Sequence, residues 1–156
     1  MKGFSLIEYL LVMAIFAILA GLITINLVNT HHRVSLDTSV NTLLADLHEQ
    51  QLKAMTGDTE GRMTTDPYGI VFGTNSYTLF HGTYSPSASD NFTVSLGQQI
   101  QFGTVTFPSS QIIFLKGSGE ISGFSNGQNT ITVEDTTDSN QKTITINRYG
   151  VVTGIK

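Results

Sequence analysis

The stretch MKGFSLIEYLLVMAIFAILAGLITINLV, residues 1–28, decides the first third of the fold. Its only charges are Lys2 and Glu8. From Tyr9 to Thr30 there are 22 positions without a charge. At about 1.5 Å of rise per residue, a helix of that length covers a hydrocarbon core roughly 30 Å thick. Leu10, Leu11, Val12, Met13, Ile15, Phe16, Ile18, Leu19, Leu22, Ile23, Ile25 and Leu27 fall on every side of such a helix. A helix that is apolar all round belongs in lipid or among similar helices. Gly21 is its one weak helix former. A carboxylate inside a membrane helix costs about 2.5–3.5 kcal/mol at the centre and less near the interface. Glu8 therefore needs something that offsets the cost. Its first-turn position supplies about 0.3–1 kcal/mol through the helix dipole.

Working outward, Thr30-His31-His32-Arg33 marks the end of the apolar run, and the pattern then changes. Leu36, Val40, Leu43, Leu44, Leu47 and Ala54 recur at helical spacing, with Asp37, Asp46, Glu49 and Lys53 largely on other faces. This predicts an amphipathic helix whose stripe lies on a sheet. Gly57 is a natural C-terminal cap. One stem helix is expected over residues 4–55, membrane-spanning over about 9–30, with a bend near Asn29–Arg33. The membrane half has no proline, so no proline kink is expected.

From Tyr68 the period falls to two. Residues 91–96, 130–134 and 143–147 alternate apolar with polar, which predicts half-buried antiparallel strands. Ile100 and Phe102 share a face, but Val105 and Phe107 are out of phase with them. That offset predicts a β-bulge at Gly103. Ile112-Ile113-Phe114-Leu115 reads as a strand buried on both sides. Residues 116–119 and 138–141 read as turns. Seven or so strands are expected over a β-rich head, residues 56–156. The fold class is α+β: a long N-terminal helix, half membrane and half amphipathic, packed on a C-terminal antiparallel β head.

The composition narrows the chemistry. The 156 residues include no cysteine, which excludes disulfides and thiol catalysis. The net charge of −4 does not favour nucleic acid or anionic membrane surfaces. No phosphate loop or H-E-x-x-H is present, and no enzyme activity and no cofactor are expected. His31 and His32 are adjacent and point to different faces; His48 falls on the stem's polar side and His81 on a strand. They form no convergent metal set. Glu134, Asp135 and Asp138 make the one acidic cluster and the only candidate for calcium, without the spacing of an EF-hand.

Lys2-Gly3-Phe4-Ser5-Leu6-Ile7-Glu8, followed directly by the apolar run, resembles the type IV prepilin signature. The resemblance implies that Met1-Lys2-Gly3 is a leader, that a prepilin peptidase cuts between Gly3 and Phe4, and that Phe4 is then N-methylated. It makes Glu8 the assembly residue. The freed Phe4 amine of a neighbouring subunit would pair with Glu8 and relieve the desolvation of both charges. Two other readings remain. A secretory signal peptide has an apolar core of about 7–15 residues and an A-x-A exit; here the run is longer and Ile18 stands two residues before Ala20. A plain membrane anchor leaves Glu8 unexplained.

Tyr68–Phe72, Tyr77–Phe80 and Ile144–Val152 resemble the GspH/FimT group, minor pseudopilins of type II secretion and minor pilins of type IV pili. The resemblance implies priming or capping of a filament. It also implies a single pass through the inner membrane with the head outside the cytoplasm. The implied partners are other pilin subunits, prepilin peptidase and an inner-membrane assembly platform. Some pseudopilins bind calcium, and some FimT-type pilins capture DNA. DNA capture would rest on Lys142, Arg148 and Lys156. Beyond Met55, however, five basic residues face eight acidic ones, and phosphate binding needs a basic surface, so nucleic acid is the less favoured partner. The last alternative is a signal-anchored extracytoplasmic β domain.

Overall fold

The computed structural model describes residues 6–138 and 140–156; the side chains of residues 21–34 lie outside that description. The chain divides into two compact units, Met1–Val34 and Ser35–Lys156. One helix, α1 (Leu6–Thr56), supplies residues to both. Helix residues from Leu36 onward belong to the core of the second unit.

Helix α1 ends as its sequence requires. Gly57 takes a φ of 66°, the left-handed conformation that closes a helix without a Cβ clash. The Asp58 N–H then donates to the Lys53 carbonyl at 3.0 Å, which satisfies one of the last free carbonyls. Glu8 lies in the first turn and Lys53 in the last, each at the end its charge favours. The expected bend near Asn29–Arg33 falls on side chains outside those described, as do His31 and His32.

The second unit holds eight strands among the described residues, against seven or so expected. They are β1 (Tyr68–Phe72), β2 (Ser76–His81), β3 (Phe92–Ser95), β4 (Ile100–Val105), β5 (Gln111–Phe114), β6 (Thr130–Asp135), β7 (Gln141–Ile146) and β8 (Val152–Ile155). They form two four-stranded sheets, ordered β3-β2-β1-β5 and β4-β6-β7-β8, with every pairing antiparallel. The alternation read from the sequence holds in β6 and β7: Ile131, Val133, Ile144 and Ile146 are buried, and the threonines between them face outward. The bulge also falls where the phase slips. Phe102 pairs with Val133 and Val105 with Ile131, so three steps on β4 match two on β6.

One core runs through helix and sheets. Leu36, Val40, Leu43, Leu47 and Ala54 of α1 share it with Ile70, Tyr77 and Ile112 of the first sheet and Ile131, Val133 and Ile144 of the second. Phe72 and Phe102 meet edge-on across the two sheets, 5.1 Å between ring centres. Such a pair adds about 0.5–1.5 kcal/mol beyond simple burial. Gln51 ties the helix to the connections that follow β5 and β7. Its Nε2 donates to the carbonyls of Gly119 at 3.0 Å and Tyr149 at 2.6 Å.

Two strand readings need correction. Residues 112–115 are not buried on both sides: Ile112 and Phe114 are buried, Ile113 is half-buried and Leu115 is exposed. The strand is the edge of its sheet, and at that edge Ser122 N–H donates to the Ile113 carbonyl. β3 is the other edge of that sheet, and Phe92 is 66% exposed despite its alternating neighbours.

Candidate functional site

The sequence places the functional site at the N-terminus. Gly3 and Phe4 lie outside the described residues. Glu8 sits in the first turn of α1 and is exposed. Around and beyond it, Leu6, Ile7, Tyr9, Leu10, Leu11, Val12, Met13, Ile15, Phe16, Ile18 and Leu19 are all exposed. Burying one side chain of this size is worth about 1.5–3 kcal/mol, so this half of the helix has a strong drive toward apolar surroundings. Among the described residues, no helix is long and apolar enough to cross a membrane. Side chains 6–20 cover only about 22 Å at helical rise, short of the roughly 30 Å core. The rest of the expected span, up to residue 30, lies outside the described side chains.

The three cations considered for DNA do not form one patch. Lys142 pairs with Asp37 of α1, and Arg148 with Glu120 at 3.0 Å. Lys156 lies beside the start of β7, where its carbonyl accepts from Thr143. Arg148 follows the other end of that strand.

The acidic cluster is likewise dispersed. Glu134 is half-buried and accepts from Gln101 Nε2 at 2.7 Å; Asp135, the next strand residue, points to the opposite face and is buried. Asp138 accepts from the backbone N–H of Asn140. Among the described residues, no group of three or more acidic or histidine side chains is placed to hold a metal ion. Strand alternation sets the first two of these carboxylates on opposite faces.

Sequence reasoning missed a polar arrangement where α1 crosses the first sheet. Lys53 bridges Glu49 at 2.8 Å and Glu60 at 2.9 Å. Burial alone would lower the Lys53 pKa, but its hydrogen bonds to the two carboxylates outweigh that and hold it above its ordinary value. The same bond from Lys53 holds the Glu60 carboxyl below the usual range. Buried Tyr77 donates its hydroxyl to Asp46, and burial, then that carboxylate, raise the phenol's pKa. His81 Nε2 pairs with Asp90. His48 is exposed, as its polar-side position implied. Gln50, only 3% exposed, also belongs to this region. Its position was legible in the spacing, since 50 continues the stripe between Leu47 and Ala54.

The prokaryotic N-terminal methylation motif matches residues 1–24. The chain therefore carries a type IV prepilin-like signal at its N-terminus. The motif implies processing by prepilin peptidase and assembly with other pilin subunits. Comparison with curated proteins and with solved structures found no match.

Proposed function

We propose that the chain is a minor pilin or pseudopilin of the GspH/FimT kind, which primes or caps a filament and does no covalent chemistry of its own. The observation that carries this reading is the methylation motif over residues 1–24, continued by a helix whose first half exposes apolar side chains behind Glu8. The membrane half holds subunits side by side. Glu8 sets their register by pairing with the methylated Phe4 amine of a neighbour, an attraction strengthened where water is excluded. The head stands outside the cytoplasm and meets other minor subunits or the assembly platform. The pairing of Lys142 with Asp37 and of Arg148 with Glu120 favours protein contacts over DNA, because those cations are already partly neutralised.

Mass spectrometry of the N-terminus tests the first step. Co-expressed with prepilin peptidase, the chain is expected to start at Phe4 and to carry one methyl group on its amine. Without the peptidase it keeps Met1-Lys2-Gly3. An N-terminus unchanged by active peptidase overturns the reading.

A further inference from the structure

A cleft of about 230 Å³ opens between the C-terminal half of α1 and the β2–β3 side of the first sheet. Its lining includes Asp46, Glu49, Glu60 and Asp90, against one ammonium, that of Lys53. Gln50 and His81 also line it, and each carries a buried polar atom with no hydrogen-bond partner among the described residues: Gln50 Oε1 and His81 Nδ1. Gln50 Oε1 is a carbonyl oxygen and an acceptor. His81 Nε2 pairs with the Asp90 carboxylate.

Buried acceptors without donors cost stability, and proteins rarely keep them without a reason. Gln50 Oε1, set among the carboxylates that line the cleft, asks for a ligand that donates several hydrogen bonds. The surplus of carboxylates asks for that ligand to be cationic. Phe92, 66% exposed, also lies in the lining, and an aromatic ring attracts a cation placed over it. The volume is smaller than the roughly 300–1,000 Å³ of ordinary small-molecule sites and suits a single side chain.

We infer that this cleft binds a guanidinium group, the end of an arginine side chain presented by another polypeptide. A guanidinium is planar, carries five donors in a fixed fork and is always charged, which matches divergent acceptors better than an ammonium does. The site does not depend on how the N-terminus is processed.

The test uses the full chain in detergent micelles, with ¹⁵N-labelled histidine. N-acetyl-arginine amide is titrated in, and the His81 ring nitrogens are followed by NMR with His48 as the internal reference. Saturable shifts at His81 alone are expected, with little response to the uncharged isostere N-acetyl-citrulline amide. Free arginine should bind more weakly than the capped amide, because its carboxylate meets the acidic rim. Gln50→Leu should weaken binding by about tenfold or more while the melting temperature holds or rises, since a buried orphan is removed. Asp90→Asn provides a second variant, expected to weaken binding as well. The inference is overturned by no saturable shift up to roughly 50 mM probe, a concentration well above a millimolar Kd. An equal response to the citrulline compound overturns it too, as does tighter binding of free arginine than of the amide. Unchanged binding in both variants also sinks it.

Discussion

The two halves of α1 are comparably apolar in places but meet opposite fates. Over residues 6–20 every large apolar side chain is exposed. Over residues 36–54 the stripe Leu36, Val40, Leu43, Leu47 and Ala54 is buried in the head core, while Leu52 off that stripe is exposed and the charged positions are exposed or half-buried. Hydrophobicity alone therefore does not decide what a helix joins. A run without polar interruption finds no single face to bury and must look beyond its own chain. A stripe at three- and four-residue spacing closes on a sheet of its own chain.

The largest expected effect lies in the first half. Glu8→Ala should block incorporation into a filament almost completely, while circular dichroism and the melting temperature stay near wild type. Normal incorporation of this variant would leave the paired-charge account without support. Next, Leu43→Ala in the second half should destabilise the head by about 2–5 kcal/mol, the usual cost of an emptied core site. Leu11→Ala in the first half should change head stability by less than about 0.5 kcal/mol, as for an exposed site. Urea titration of both variants, followed by Tyr fluorescence, breaks the comparison if the two costs are alike.

Smaller effects probe how the second half is held. Gly150 has a φ of 72°, and a Cβ there would sit 2.4 Å from Gln51 Nε2 and 3.0 Å from the Phe114 ring. Gly150→Ala should cost about 1–3 kcal/mol through strain at that φ, visible as a lowered urea midpoint. Smallest is the acid response of the Lys53–Glu60 pair. Glu60 titrates lower in the folded chain than in the unfolded one, so its contribution is complete above its unfolded pKa and fades as pH falls through the folded value. Both partners are partly exposed, so the loss should be only about 0.2–1 kcal/mol. Glu60→Gln should flatten the acid limb of the stability profile below roughly pH 4; an unchanged limb would show that the pair contributes nothing.

Local pattern carried most of the fold. The stripe on α1, the Gly57 cap, the β6–β7 alternation and the slip at Gly103 were all readable, because each is a relation between near neighbours. What escaped depends on partners far along the chain. Residues 112–115 were misjudged because nothing in four apolar residues tells an edge strand from a central one. Phe92 alternates like a core residue, yet it lies where its sheet ends. The N-terminal signal was legible as a motif, because its parts are consecutive residues. The cleft beside Gln50 was not: its parts come from α1, the turn after it and β2 with its following loop, and only the folded chain assembles them.

Gln51 has a mechanical consequence. One amide nitrogen holds a carbonyl after β5 in the first sheet and another after β7 in the second. A tug along the helix axis is thereby shared by both sheets at once. Under single-molecule stretching the head should yield in one step, and Gln51→Ala should split that rupture into two.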